Sequence, residues 1–208
     1  MTTNKAEIID KAFNCVIALC KKYEIDDSHG LKHSMEVYHF AERIVASELP
    51  KNPHLRNQEL VIYIAAILHD MCDKKYMKEA DGVCDIREFM ETVIGTEKMD
   101  VVIQIITSMS YSTVRKNGYK DLGEYQLAYH IVREADLLAA YDIDRCIIFG
   151  MMVDRLVYSD AKVRARELFE RRVMEYRNDG LFVTEYSKQK SAEFHENARR
   201  NNDEYIHD

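Results

Sequence analysis

The apolar run Leu60 to Leu68, which ends on His69-Asp70, constrains this chain more than any other stretch. It offers no polar face at helical spacing, so the helix expected from about Asn57 to Asp70 is apolar nearly all round and belongs at the centre of a fold. It is about half as long as a membrane-spanning helix needs to be, which makes it a core element and excludes a transmembrane reading. The pair at its end then needs an explanation. Burying an ionised carboxylate beside an imidazole costs several kcal/mol unless a strong partner compensates, and a divalent cation is such a partner.

The rest of the chain reads as helices packed around that element. Only seven Gly and two Pro occur in 208 residues, with no linker-like stretch and no internal repeat, so one mostly helical domain is expected. The expected fold class is all-α, a compact multi-helix bundle. Helices are predicted over about Ala6–Lys22 (with Ile9, Phe13, Val16, Ile17 and Cys20 as its stripe), Leu31–Leu49, Ile86–Ile94, Glu97–Met109, Gly123–Tyr141, Arg145–Val157 and Asp160–Arg177. The charged stretch around Lys78 to Gly82 and the polar stretch Ser108 to Thr113 read as loops, the second one over a pocket. Residues 1–183 form the expected core; 184–208 read as a charged C-terminal helix or tail that frays or packs on a neighbouring subunit.

Two further segments supply companions for His69-Asp70. Upstream, His29-Gly30-Leu31-Lys32-His33 opens the second helix, and His33 falls in line with the apolar stripe Val37, Phe40, Ile44, so it points toward the core. Downstream, Asp136 lies in Glu134-Ala135-Asp136-Leu137-Leu138, near small Ala140. One His, the His-Asp pair and a distant Asp, on three helices, form a set of N and O ligands suited to one divalent cation. The bland alternative is a buried His-Asp hydrogen-bonded pair plus two ordinary residues.

That order and those flanks resemble the HD-domain superfamily of metal-dependent phosphohydrolases. His29-Gly30 with His33 resembles its first motif, Leu68-His69-Asp70 with Asp73-Lys74-Lys75 its second, and Ile131-Val132-Arg133-Glu134-Ala135-Asp136 its last; together they cover roughly residues 26 to 160. The chain is most similar to small, single-domain, all-helical members that act on nucleotides. One position departs: many members carry Arg-Val where this chain has Glu36-Val37. The resemblance implies one divalent ion (Mn, Mg, Fe, Co or Ni) held by His33, His69, Asp70 and Asp136, with Asp70 and Asp73 as catalytic residues. It implies hydrolysis of a phosphate ester or anhydride of a nucleotide, favoured as nucleoside triphosphate pyrophosphohydrolysis; the alternatives are a 5'-nucleotidase, a signalling-nucleotide hydrolase or a silent nucleotide-binding domain. For Asp73, proton transfer stands beside a plain solvated carboxylate.

Candidates for holding the substrate are His29, Lys74, Lys75, Arg115 and Lys116, as cations or donors toward phosphate, and Tyr111, as a platform for a base. A formal charge of −7 argues against a broad nucleic-acid-binding face but leaves room for a local basic pocket for one nucleotide. Five cysteines without a CxxC pair indicate neither a disulfide framework nor a Cys-rich zinc site. Met1 to Asp10 lacks the apolar stretch of a secretory signal, and a cytoplasmic location is expected. Oligomeric state stays open.

Overall fold

The computed structural model describes residues 4–204. Among these it is all-α: α1 (Lys5–Tyr23), α2 (Leu31–Glu48), α3 (Glu59–Leu68), α4 (Glu79–Ile94), α5 (Thr96–Ile106), α6 (Tyr111–Asn117), α7 (Gln126–Ala139), α8 (Ile143–Met152), α9 (Tyr158–Leu168) and α10 (Glu185–Glu204). No described helix is long and apolar enough to cross a membrane. Every residue from Val61 to Leu68 is buried, and α3 packs against α1, α2, α5 and α7. A helix surrounded on all sides has no use for a polar face, which is why its sequence shows none. Truncating one of these side chains, such as Ile64→Ala, is expected to cost about 2–5 kcal/mol.

α1 starts at Asn4, whose side chain accepts the Ala6 amide, and stops at Glu24, which takes a left-handed conformation with φ 54°. Its buried stripe is Ile8, Ala12, Cys15, Val16 and Leu19. That stripe is rotated from the one read in the sequence, and Ile17 is left 50% exposed because α1 faces α3 and α4 together. α2 lies along α7, an arrangement that sets His33 near Asp136.

Several boundaries differ from expectation. α4 begins at Glu79, so the charged stretch after Lys78 is a first helical turn. Gly82 makes this possible: a Cβ there would sit 2.7 Å from the Met71 carbonyl and 2.8 Å from the Cys72 Cα, so only glycine lets α4 lie against the turn carrying the His-Asp pair. The stretch read as a loop over the pocket is instead the start of α6, capped by Ser110, whose hydroxyl accepts the Thr113 amide, and ended by Gly118 at φ 75°. α8 and α9 are shorter than predicted and form a hairpin with its own small core of Ile147, Ala161 and Ala165. Among the described residues no other helix packs closely on that hairpin; α9 runs on through a π-turn, Phe169–Val173, that re-enters the main core.

The C-terminal segment docks on its own chain. α10 packs against α2 and α7, with Phe194 6.0 Å from the ring of Phe40 and 5.5 Å from that of Tyr141. Its entry is held by Glu134, a fully buried carboxylate that accepts Val183 N at 2.7 Å, Thr184 N at 3.2 Å and Thr184 Oγ1 at 2.6 Å. Residues 205–208 of the predicted tail lie outside the described residues.

Candidate metal centre

α3 ends at Leu68, and the pair that terminates the apolar run lies in the turn just beyond it. His69 caps the helix, and its Nδ1 donates to the Ala66 carbonyl at 2.9 Å. With Nδ1 fixed as the donor, Nε2 is the atom that faces the interior and that can take a proton or a cation. There it meets the Nε2 of His33 at 3.0 Å. Asp136 Oδ1 lies 3.4 Å from the first-helix-turn nitrogen, His33 Nε2, and 3.6 Å from that of His69. The ligand atoms of His33, His69 and Asp136 all fall within 4.8 Å of one another, the two histidines buried and the aspartate partly so.

Asp70 stands outside that trio, yet its Oδ2 lies 3.1 Å from His69 Nε2 and 3.3 Å from His33 Nε2. Oδ2 is buried and has no hydrogen-bond partner. A buried carboxylate oxygen at these distances from two imidazole nitrogens is accounted for by a proton on the rings or by a cation shared with them. The donor set, two nitrogens and two carboxylates, fits a borderline or hard divalent ion. Electrostatics agree. Burial alone pushes the His69 imidazole down, but Asp70, and behind it Asp136, hold it up at about 9. Burial works upward on Asp70 as well, and His69, His29 and His33 outweigh it, keeping that carboxyl well below the usual range. Asp136 is lowered in the same way, through the His33 hydrogen bond and the charge of His69.

A cleft opens from this cage toward the α8–α9 hairpin, lined by Asp70 and Asp136 at its floor. On one side His29, Asp73 and Lys75 form a connected group. Lys75 Nζ lies 3.0 Å from both His29 Nε2 and Asp73 Oδ2, and Asp73 Oδ1 accepts the Lys75 amide at 2.8 Å. Behind them His29 Nδ1 is 2.6 Å from Ser28 Oγ and 3.0 Å from Tyr76 OH, whose hydroxyl donates to Asp26 at 2.5 Å. Burial, with Lys75 and Arg145 nearby, pushes His29 down to about 4, so it is neutral near pH 7. Tyr111 lines the cleft on another side.

Three of the residues picked from sequence are not brought in. Lys74 is 74% exposed and pairs with Glu79 at 2.9 Å, because consecutive residues of the turn after the His-Asp pair face opposite ways. Arg115 reaches the cleft only through Tyr111, to whose hydroxyl it donates at 2.9 Å, and Lys116 is exposed on α6. The predicted positions of Arg115 and Lys116 depended on a loop; the α6 helix turns both outward.

The cations that do line the cleft include Arg145 and Arg172. Arg145 Nε donates to the Ser28 carbonyl at 2.7 Å, and its guanidinium lies 3.9 Å from Asp70 Oδ2. Arg172 Nε donates to Tyr176 OH at 3.1 Å, and the guanidinium stands 4.7 Å from the Tyr111 ring centre. Phe149 joins them, its ring 5.6 Å from His29. Arg145, Cys146 and Phe149 on α8, with its capping residue Asp142, recur at three- and four-residue spacing on the cleft side, a signal that was present in the sequence.

Fold and site together define an all-helical protein with a buried His/His/Asp group able to hold a metal ion, beside a cation-lined cleft. No family model matches the chain, and no curated protein matches it either.

Proposed function

We propose that this protein is a metal-dependent phosphohydrolase acting on a phosphate ester or anhydride of a nucleotide, with one divalent cation (Mn, Mg, Fe, Co or Ni) held by His33, His69, Asp70 and Asp136. The observation that carries the reading is the convergence of His33, His69, Asp70 and Asp136, with the buried Asp70 Oδ2 3.1 and 3.3 Å from two imidazole nitrogens, beside a cleft lined by Lys75, Arg145 and Arg172. When bound, such a cation supplies Lewis acidity toward a phosphoryl oxygen and toward water, which brings water's ionisation near neutral pH.

The protein's own residues divide the remaining work. Lys75, Arg145 and Arg172 bind and orient the phosphate chain, since phosphate oxygens need cations aimed at them. Asp73 accepts two hydrogen bonds from Lys75 and keeps lone pairs in the cleft to take a proton from water. Lys75, an ammonium within reach of His29, is placed to return a proton to the leaving oxygen. Three cations beside a cation-binding cage suit several phosphates better than one, so a nucleoside triphosphate cleaved to pyrophosphate is the favoured substrate.

Steady-state kinetics across nucleoside mono-, di- and triphosphates with Mn²⁺, Mg²⁺, Co²⁺ and Ni²⁺, resolving phosphate from pyrophosphate, tests this. Metal-dependent pyrophosphate release is expected. A monophosphate cleaved with higher kcat/KM than every triphosphate would replace the pyrophosphohydrolase with a nucleotidase; no turnover with any metal would sink the enzymatic reading.

A further inference from the structure

His29 is clamped at both ring nitrogens by two consecutive residues of the turn after the His-Asp pair. Lys75 Nζ lies 3.0 Å from Nε2, and Tyr76 OH lies 3.0 Å from Nδ1, with Ser28 Oγ closer still at 2.6 Å. A lysine ammonium has only donors, so its contact with Nε2 requires that nitrogen to be unprotonated. The ring then carries its proton on Nδ1, and the oxygens of Ser28 and Tyr76 are there to accept it.

A hydroxyl serves as acceptor here only when its own proton is committed elsewhere, and Asp26 takes those protons. Tyr76 OH donates to Asp26 Oδ2 at 2.5 Å, while Oδ1 accepts the Ser28 amide at 2.9 Å. Burial works upward on the Asp26 carboxyl; hydrogen bonds from the Ser28 hydroxyl, Tyr76 and the Ser28 amide outweigh it and hold that carboxyl below the usual range. At the other end of the group, Lys75 Nζ also donates to Asp73 Oδ2 at 3.0 Å. Of the three ammonium protons, His29 and Asp73 take one each, which leaves the last for the cleft that Lys75 lines. A free lysine side chain carries ~2 kcal/mol of rotamer entropy, and one held in this way has little of it left to lose on meeting substrate.

We infer that Asp26 is a positioning residue for Lys75: by collecting the hydroxyl protons of Tyr76 and Ser28 it keeps the His29 proton on Nδ1, so that Nε2 holds the Lys75 ammonium with one N–H free for a substrate oxygen. Asp26 itself lies outside the cleft lining and acts only along this line of hydrogen bonds. The catalytic half of the inference rests on the phosphohydrolase reading proposed above; the placement of the His29 proton does not.

Histidine-ring ¹⁵N NMR of the full-length, metal-free protein at pH 7 reads that placement directly, with His29→Gln identifying the His29 signals. Wild type is expected to show Nδ1 protonated and Nε2 bare. In Asp26→Asn the side-chain carbonyl stays on the Ser28 amide, so the new NH₂ faces Tyr76 and turns that hydroxyl's proton toward His29 Nδ1. The His29 proton should then move to Nε2, where it opposes Lys75. In the metal-loaded enzyme kcat for a nucleoside triphosphate should fall about 10- to 100-fold, the scale of a misplaced catalytic group, with Mn²⁺ affinity retained. Tyr76→Phe removes a hydroxyl without adding a donor and leaves Ser28 as acceptor, so it should keep the proton on Nδ1 and lose less kcat than Asp26→Asn. On a Lys75→Ala background Asp26→Asn should cost nothing further. A wild-type ring protonated on Nε2, an Asp26→Asn loss that persists in full without Lys75, or a larger loss for Tyr76→Phe than for Asp26→Asn overturns the role of Asp26 and leaves the hydrolase reading standing. No turnover by wild type with any metal overturns the catalytic half together with that reading, and the ring tautomer then decides the other half alone.

Discussion

The Nε2 atoms of His33 and His69 stand 3.0 Å apart, facing each other inside the core. Two lone pairs cannot share that separation: either a proton sits between the rings or a cation draws both. In the metal-free protein the proton wins, because Asp70 and Asp136 overcome the opposing effect of burial and hold His69 up at about 9. A cation held by this group would have to displace that proton. Calorimetry of Mn²⁺ binding at pH 7.5, in buffers of different ionisation enthalpy, should report about one proton released, with affinity rising up to about pH 9. Buffer-independent heats would contradict the shared site.

The same proton links metal-free stability to pH. His69 has a folded-state pKa of about 9, raised above the ordinary value of 6.5, so its contribution is full below 6.5 and is lost as pH climbs through 9. The expected loss is on the order of 3 kcal/mol. Thermal melts of the stripped protein should fall across that window. Mn²⁺ at one hundred times its dissociation constant should add about 2.7 kcal/mol. A metal-free melting temperature that is flat from pH 6.5 to 9 counts against the paired cage.

Arg145 reaches the cleft, while Lys74 and Lys116 do not. Arg145→Ala should raise KM for a nucleoside triphosphate about tenfold or more, the scale of one charge-assisted hydrogen bond at ~1.5–3 kcal/mol. Its Mn²⁺ affinity should stay close to that of wild type. Lys74→Ala and Lys116→Ala should change neither. A KM effect at Lys74 as large as that at Arg145 would mean that the turn after the His-Asp pair rearranges on binding.

Asp73 lines the cleft, and both its oxygens accept from Lys75. Asp73→Asn keeps the shape and most of the hydrogen bonding but loses the basic oxygen. Turnover should drop about 10²- to 10⁴-fold, the span typical of general acid–base catalysis, with Mn²⁺ affinity retained. Unchanged kcat would return Asp73 to a scaffold for Lys75.

Glu134, two residues before Asp136, serves the fold: its carboxylate takes the amides of Val183 and Thr184 and the Thr184 hydroxyl. Glu134→Ala strands three donors and removes the neighbour of buried Arg133, 3.6 Å away. The expected cost is about 3–5 kcal/mol in urea unfolding, and limited proteolysis should cut near residue 183 first. A loss under ~1 kcal/mol would show that apolar packing and the Glu185 amide's bond to Glu48 hold α10 without Glu134.

The sequence made the floor of the site readable because the helix that carries it has no polar residue to spare. An aspartate and a histidine closing the Leu60–Leu68 run demand a partner wherever that run is buried, and His33 announces itself by falling on an apolar stripe. The walls were less readable. Whether Lys74 or Lys75 faces inward depends on the φ and ψ angles of one turn, and both are lysines. Arg145 and Arg172 enter the cleft only because the α8–α9 hairpin folds back and a π-turn rotates the chain after Leu168. These are long-range outcomes that local periodicity does not encode. α6 was legible in principle, since Ser110 as cap and Gly118 as stop are local signals, but serine- and threonine-rich text reads as loop first.

The α8–α9 hairpin buries its small core against itself, and its described polar ties to the body include Arg145 to Ser28 and Asp142 to Lys32. More than these bonds holds it: Ile143 packs on the main core, the Phe149 ring stands 5.6 Å from that of His29, and α9 continues into the π-turn buried in that core. The cleft wall that carries Arg145 and Phe149 is therefore anchored at both ends of the hairpin, by Ile143 at the start of α8 and by the π-turn after α9.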